Sequence, residues 1–164
     1  MAIGLLMRRV RPDEVARGMA YLEAGFAATM DDDVFAAEEA AGTLCSLGRE
    51  WAFVQLALTG RPQGPADAAA LAVLGGKPLG EIGPSDRDMI IVLPAEQVAV
   101  AAEYLRAVDP AALVENHRAA LAERAGGVLP EEFLAGIERH LAALREFYAA
   151  AAGAGQAVAK RTYH

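Results

Sequence analysis

The sequence has few of the residues that build metal centres and covalent catalytic sites. Among its 164 residues there are one cysteine, Cys45, and three histidines. The histidines are His117, His140 and His164, and they share no metal-ligand spacing with one another or with Cys45. A single cysteine permits no intrachain disulfide, which is typical of a reducing compartment. We therefore predict that the protein holds no metal and no cofactor, and that Cys45 is a small buried residue rather than a nucleophile.

An excess of positive charge and long apolar runs are also missing. The chain has 15 Lys and Arg against 22 Asp and Glu, a formal net charge of -7. An acidic chain lacks the electrostatic attraction that provides most non-specific affinity for nucleic acids and for anionic membrane surfaces. No run approaches the roughly 20 apolar residues that a transmembrane helix needs, and the first apolar run precedes its arginines, the reverse of a secretory signal. The sequence thus predicts a cytoplasmic protein that binds neither nucleic acid nor membrane.

The remaining composition is that of a folded globular protein. Hydrophobic residues make up 54% of the chain and charged residues 23%. No internal repeat and no interdomain linker interrupts the sequence. A chain of this length can bury roughly 70% of the surface that its unfolded form exposes. We predict a single domain over residues 1–164.

Strand and helix signals alternate along the chain. Apolar and β-branched runs at 2–10, 89–93 and 156–163 predict strands. Proline can occupy the first position of a helix, where its missing N–H costs nothing. It marks four predicted helix starts: Pro12, Pro94, Pro110 and Pro130.

Residues 44–60 carry the strongest helical pattern of the first half and the only tryptophan. At 3.6 residues per turn one stripe holds Leu44, Leu47, Trp51, Val54 and Leu58. Apolar residues on the opposite side predict a helix that is covered from two directions, with Trp51 in the core. Gly60, followed closely by proline, predicts where this helix ends.

Gln55 lies on the same stripe, so a polar amide is directed toward the predicted core. A buried amide without hydrogen-bond partners costs about 1–3 kcal/mol. Two interpretations follow. Gln55 either fastens the backbone of the glycine-rich segment 75–83, or it lines a ligand pocket.

Two further segments and one acidic cluster are candidate sites. Segment 75–84 is rich in glycine and contains Lys77, but proline follows the lysine, which does not fit a phosphate-binding loop. Asp86 and Arg87 precede a predicted strand, where they either converge on a ligand or form a solvated turn. The aspartates at 31–33 are interpreted as a helix N-cap in preference to a cation site.

Several stretches resemble the YfbM-like family of small bacterial proteins. They are residues 49–60, Arg-Glu-Trp-Ala-Phe-Val-Gln-Leu-Ala-Leu-Thr-Gly; residues 73–80, Val-Leu-Gly-Gly-Lys-Pro-Leu-Gly; the helix start at 93–98; and the aromatic pair within 144–148. The resemblance implies an α+β fold, with one small, mostly antiparallel sheet packed by several helices, and it implies no activity. Relatives often carry histidines at the positions of Ala52 and Gln55, so histidine chemistry is not expected to transfer.

These observations lead to two functional hypotheses. The first is a non-catalytic cytoplasmic module that binds another protein, as an accessory or an antitoxin- or immunity-like partner. The alternative is a small-molecule-binding protein or enzyme with a pocket beside the Trp51 helix and residues 75–83. A flat apolar patch would favour the first, and a concave pocket with convergent polar groups the second. The candidate binding residues are Arg49, Trp51, Gln55, Lys77, Asp86 and Arg87.

Overall fold

A five-stranded antiparallel sheet with helices on both faces forms the protein. The computed structural model describes residues 4–61, 67–80 and 89–163. The strands are β1 (Gly4–Val10), β2 (Leu44–Gly48), β3 (Lys77–Leu79), β4 (Ile90–Leu93) and β5 (Ala157–Tyr163), and their order across the sheet is β2-β1-β5-β4-β3. Every neighbouring pair runs antiparallel. The predicted α+β fold is confirmed.

The last strand in the sequence is the central strand of the sheet. β5 pairs with β1 from Gly4↔Tyr163 to Val10↔Ala157 and with β4 from Ile90↔Arg161 to Leu93↔Val158. It therefore joins the β1–β2 half to the β3–β4 half. The strands predicted near both ends of the chain are confirmed, and together they form the middle of the sheet.

Six helices among the described residues pack on the first face of the sheet. They are α4 (Trp51–Thr59), α5 (Ala68–Leu71), α6 (Ala95–Ala107), α7 (Pro110–Asn116), α8 (Arg118–Ala125) and α9 (Glu131–Gly153). The longest, α9, buries Leu134, Ile137, Leu141, Leu144 and Tyr148 in the main core. This 3-4 spacing keeps the apolar residues on one side of the helix, so α9 organises the layer.

The second face is covered by α1 (Pro12–Val15), α2 (Met19–Ala28) and α3 (Asp32–Ala40). Leu22 and Phe26 of α2 pack there against Leu6 and Val10 of β1. The residues on either side of Leu6, which are Leu5 and Met7, belong to the core on the first face, as the two-residue period of a strand requires. Asp31 accepts hydrogen bonds from two backbone amides and caps α3, which confirms the N-cap interpretation of the acidic segment.

The helix predicted over 44–60 is wrong in its first third. Leu44–Gly48 forms edge strand β2, and the helix covers only Trp51–Thr59. Apolar residues three apart, such as Leu44 and Leu47, fit either structure, and backbone pairing with β1 decides for the strand. Gly48 then turns the chain at φ +53°, a left-handed conformation that interrupts any helix. Gly60 caps the helix end as predicted.

Two buried side chains hold the turn that follows α5. Lys160 of β5 donates hydrogen bonds to the carbonyls of Leu71 and Gly75, and the Tyr148 hydroxyl donates to the carbonyl of Ala72 at 2.8 Å. Both side chains are completely buried. They satisfy the carbonyls that a helix leaves unpaired at its C-terminus, where a cation is also favoured by the helix dipole. This turn is thereby tied to the sheet and to α9.

Candidate functional site

The residues proposed as candidates from the sequence do not form one cluster. Arg49 is exposed in the turn between β2 and α4, and Trp51 begins α4, half-buried against the main core. Lys77 is exposed on β3, at the opposite edge of the sheet from β2. Asp86 and Arg87 lie outside the described residues. Of the described candidates, Arg49, Trp51 and Gln55 therefore belong to α4 and the turn before it, and Lys77 lies apart from them.

The side-chain oxygen of Gln55 does not bond to residues 75–80, the described part of the glycine-rich segment. Its side chain is buried, with 3% exposure, and its Oε1 atom has no hydrogen-bond partner within the described part of the chain. Lys160 and Tyr148 provide the contacts to the preceding turn instead. Lys160 of β5 supplies a long polar side chain to this region, and its direction could not be read from the sequence.

A groove lies where α4 and α9 begin, and we call it the Glu50 groove. It has a volume of about 410 Å³ and is lined by Glu50, Pro130, Glu132, Phe133, Gly136, Arg139 and His140. Phe133 packs edge-on against Phe53 of α4, with ring centres 5.1 Å apart, which fixes the two helix starts relative to each other. The groove therefore combines an apolar wall with acidic and basic side chains.

Glu50 and His140 face each other in this groove. The Glu50 Oε2 and His140 Nε2 atoms are 4.0 Å apart, and the two side chains are 39% and 29% exposed. Burial lowers the pKa of His140 below its usual value, Glu50 opposes this shift, and Arg139 adds to it. Glu50 occupies the N-cap position of α4 without making a side-chain cap hydrogen bond. Its carboxylate thus remains available to another group.

A second groove runs between edge strand β2 and α9, and we call it the Cys45 groove. It has a volume of about 400 Å³. Cys45 and Ser46 line one wall, and Ala143, Phe147 and Ala150 of α9 line the other. Within the described residues β2 pairs only with β1, so its outer edge borders this groove.

Cys45 is not a reactive thiol in this groove. It is 7% exposed, and burial raises its pKa to about 12, with Glu39 adding to the shift. Because the thiolate is the reactive form, a thiol with this pKa is inert near neutral pH. The prediction that Cys45 is a small buried residue is confirmed.

Both grooves follow one stripe of α9. The six stripe residues are spaced 3, 4, 3, 4 and 3 positions apart: Phe133, Gly136, His140, Ala143, Phe147 and Ala150. Large side chains alternate with glycine or alanine, so each type recurs every seven residues. At 1.5 Å per residue the stripe extends for roughly 25 Å. It lies one residue ahead of the core stripe of α9 and therefore forms a flank beside it.

The recurrence of Phe133, His140 and Phe147 every seven residues is the sequence signal for this stripe. Phe133 belongs to the flank and Leu134 to the core. His140 lies on the flank as well. Its proximity to Glu50 could not be read from the sequence, because 90 positions separate the two.

Over residues 4–61, 67–80 and 89–163, no group of three His, Cys, Asp or Glu side chains could hold a metal ion. In the same ranges no helix has both the length and the apolar character needed to cross a membrane.

The chain is similar to proteins whose function is unknown. The family model described as "Domain of unknown function (DUF1877)" matches residues 3–159. Among solved structures, the chain is similar to the crystal structure of YfbM from Escherichia coli, a protein of unknown function. The two share 16% identity with a TM-score of 0.61, and the match covers 97% of this chain and 99% of that chain. At this identity the likeness shows the fold alone. No curated protein matches the chain. The resemblance to the YfbM-like family is confirmed.

Proposed function

The chain belongs to the DUF1877 family, and we propose that it is an interaction module of the bacterial cytoplasm that binds an amphipathic helix of a partner protein. The observation that carries this proposal is the stripe of α9, from Phe133 to Ala150, which continues through both grooves. A protein-binding role was the first of the two hypotheses from the sequence.

The spacing of the stripe suits a helical partner. Residues that alternate three and four positions apart form the seam along which two helices pack, because 3.5 residues approximate one helical turn. Gly136, Ala143 and Ala150 leave gaps at seven-residue intervals, and side chains of a second helix can enter such gaps. Helix-in-groove recognition depends on anchors with this period.

The charges beside the grooves favour a basic partner. Glu39 and Glu146 line the Cys45 groove, and Glu50 and Glu132 line the Glu50 groove. Arg9 also reaches the Cys45 groove, but its guanidinium already donates hydrogen bonds to the Gln156 side chain at 2.7 Å and to a backbone carbonyl. Complementary charge speeds association and suppresses wrong partners. A second copy of this chain, with net charge -7, would bring like charges together.

The small-molecule alternative receives less support. Its proposed pocket joined the Trp51 helix to residues 75–83, with Gln55 between them. Gln55 lines neither groove, and Lys77 lies at the far edge of the sheet. The described polar groups of this hypothesis, Gln55 and Lys77, therefore lie apart.

Two synthetic helical peptides test the proposal. Each contains three heptads with leucine at the first and fourth positions, flanked by lysine in one peptide and by glutamate in the other. We expect the lysine peptide to bind at least about tenfold more tightly, because like charges across an interface cost several kcal/mol. Fluorescence anisotropy of labelled peptides measures both affinities.

Two variants of the protein locate the binding surface. Ala143→Lys places a charge in the stripe, and Ala142→Lys places the same charge on the next exposed residue of α9, outside the lining of both grooves. We expect Ala143→Lys to weaken lysine-peptide binding at least about tenfold and Ala142→Lys to change it by less than about twofold. Equal effects of the two variants, or equal binding of the two peptides, would refute the proposal.

A further inference from the structure

We infer that the Glu50 groove is a binding site for a Lys or Arg side chain, and that protonation of His140 releases this side chain. The inference rests on the proposed function, since it places a basic anchor of the partner helix at one end of the α9 stripe. It also makes a separate claim, which is that these residues bind an organic cation by themselves.

The first argument is the free carboxylate of Glu50. No helix-cap hydrogen bond uses it, and its contact with His140 is 4.0 Å, too long for a hydrogen bond. Gly48 lets this carboxylate lie close to the backbone, because a Cβ atom at that position would stand 3.1 Å from Glu50 Oε2. A half-buried carboxylate without a donor is a suitable acceptor for an ammonium or guanidinium group.

The second argument concerns the charges that face the groove. α4 contributes Glu50 at its N-cap, and α9 contributes Glu132, Arg139 and His140. While His140 is neutral, two carboxylates stand against one guanidinium, so the groove attracts a cation. Protonation of His140 balances the charges and places a positive group against Glu50. Arg49 is adjacent in sequence but is not among the groove-lining residues.

The third argument is the shape of the site. Phe133 forms an apolar wall of the groove, and an aromatic ring favours both the aliphatic stem and the cationic head of a Lys or Arg side chain. Gly136, one turn further along α9, has no side chain of its own, and the Arg139 guanidinium lies 3.6 Å from the point where its Cβ atom would stand. The site therefore suits a long cation better than a metal ion or a small anion.

The probe is Nα-acetyl-L-lysine methylamide, which presents one lysine side chain and no other charge. Its binding is followed through the NMR signals of the His140 imidazole and the Phe133 ring. We expect weak binding at pH 7.5 that falls about two- to fivefold at pH 5.5, the range that one half-exposed charge pair contributes. Its acetylated glutamate counterpart should not perturb these signals at pH 7.5.

Three variants separate the roles. Glu50→Gln should weaken binding of the lysine probe at both pH values, whereas His140→Gln should retain binding and remove the pH dependence. Glu123→Gln removes one carboxylate from an exposed position on α8 and should behave as the parent. If the lysine probe leaves His140 and Phe133 unperturbed, or if Glu50→Gln and Glu123→Gln act alike, the inference is wrong.

The helical peptides distinguish this failure from failure of the proposed function. If the lysine helix binds with the expected Ala143→Lys effect but the lysine probe does not bind, the cation site is contradicted and helix binding is supported. If the lysine probe binds with the expected Glu50 and His140 effects but the lysine helix does not bind, the helix-binding function is contradicted and the cation site is supported.

Discussion

Replacing Lys160 by methionine should alter the pH dependence of stability. Lys160 is fully buried in the main layer, with no acidic partner among residues 4–61, 67–80 and 89–163, and burial lowers its pKa from 10.5 to about 7. Its folded-state pKa is therefore below its unfolded-state value, so the unfolded chain binds more protons between these two values. The free energy of unfolding should then rise with pH from about 7 to about 10.5 through this group. Methionine has a similar length and does not titrate.

The magnitude follows from two opposing contributions. At pH 9 the buried amine is neutral, and methionine leaves the carbonyls of Leu71 and Gly75 without their donor. We expect Lys160→Met to lower the free energy of unfolding by about 2–4 kcal/mol there. At pH 6 the parent must keep a buried ammonium, which the two carbonyls only partly compensate, so the parent itself loses about 2–3 kcal/mol relative to pH 9. The variant should therefore cost clearly less at pH 6 than at pH 9.

These differences are measured by guanidinium denaturation at both pH values. The fluorescence of the only tryptophan, Trp51, reports unfolding. Lys77→Met is the matched control, because Lys77 is exposed and the same charge is removed. Groups other than Lys160 titrate equally in parent and variant, so they cancel in the difference. If Lys160→Met loses the same stability at pH 6 and pH 9, burial does not lower the pKa of Lys160, and the argument is refuted.

Four other substitutions test local features of the fold by guanidinium denaturation. Gly76→Ala should cost about 2–5 kcal/mol, because Gly76 has φ +131° and a Cβ atom would approach an Ile91 methyl carbon to 2.6 Å. Gly127→Ala, where a Cβ meets nothing within 4 Å, should change stability by less than about 0.5 kcal/mol. Gln55→Leu should leave stability unchanged or raise it by about 1 kcal/mol, since the removed Oε1 has no partner among the described residues; a loss above that size would show that the amide has a structural role. Trp51→Ala, followed by circular dichroism, should cost about 1–3 kcal/mol, less than for a fully buried tryptophan, because the side chain is half-buried. A loss near 5 kcal/mol would contradict that burial.

Sequence patterns were sufficient to predict secondary structure where local composition and tertiary environment favour the same element. The runs at 2–10, 89–93 and 156–163 were predicted as strands, and the structure contains strands there. The helix predicted for residues 44–48 was wrong, because apolar residues three positions apart are compatible with either a helix or a strand. Pairing with β1 and a left-handed Gly48 resolve that choice, and neither can be read from the segment itself.

The polar contacts between residues far apart in the chain could not be predicted from the sequence. Lys160 follows a run of small apolar residues, and a lysine in that position would ordinarily be placed on an exposed face. It is buried because the turn after α5 offers carbonyls that lack helical partners. Glu50 and His140 present the same difficulty. Each is an ordinary charged or polar residue until α4 and α9 are placed side by side.

The two stripes of α9 explain how one helix can serve both the core and a partner. Core residues such as Leu134 and Leu141 each follow a flank residue, Phe133 and His140, by one position. One residue corresponds to a rotation of about 100° around the helix axis. The exposed flank residues Ala143 and Ala150 can therefore change without entering the core, whereas Phe147 is buried in the main core. This separation predicts that Ala143→Lys and its neighbour Ala142→Lys unfold at the same guanidinium concentration while they differ in helix binding. If Ala143→Lys is instead destabilised by more than about 1 kcal/mol, the flank contributes to the fold, and its effect on binding could not be assigned to the interface.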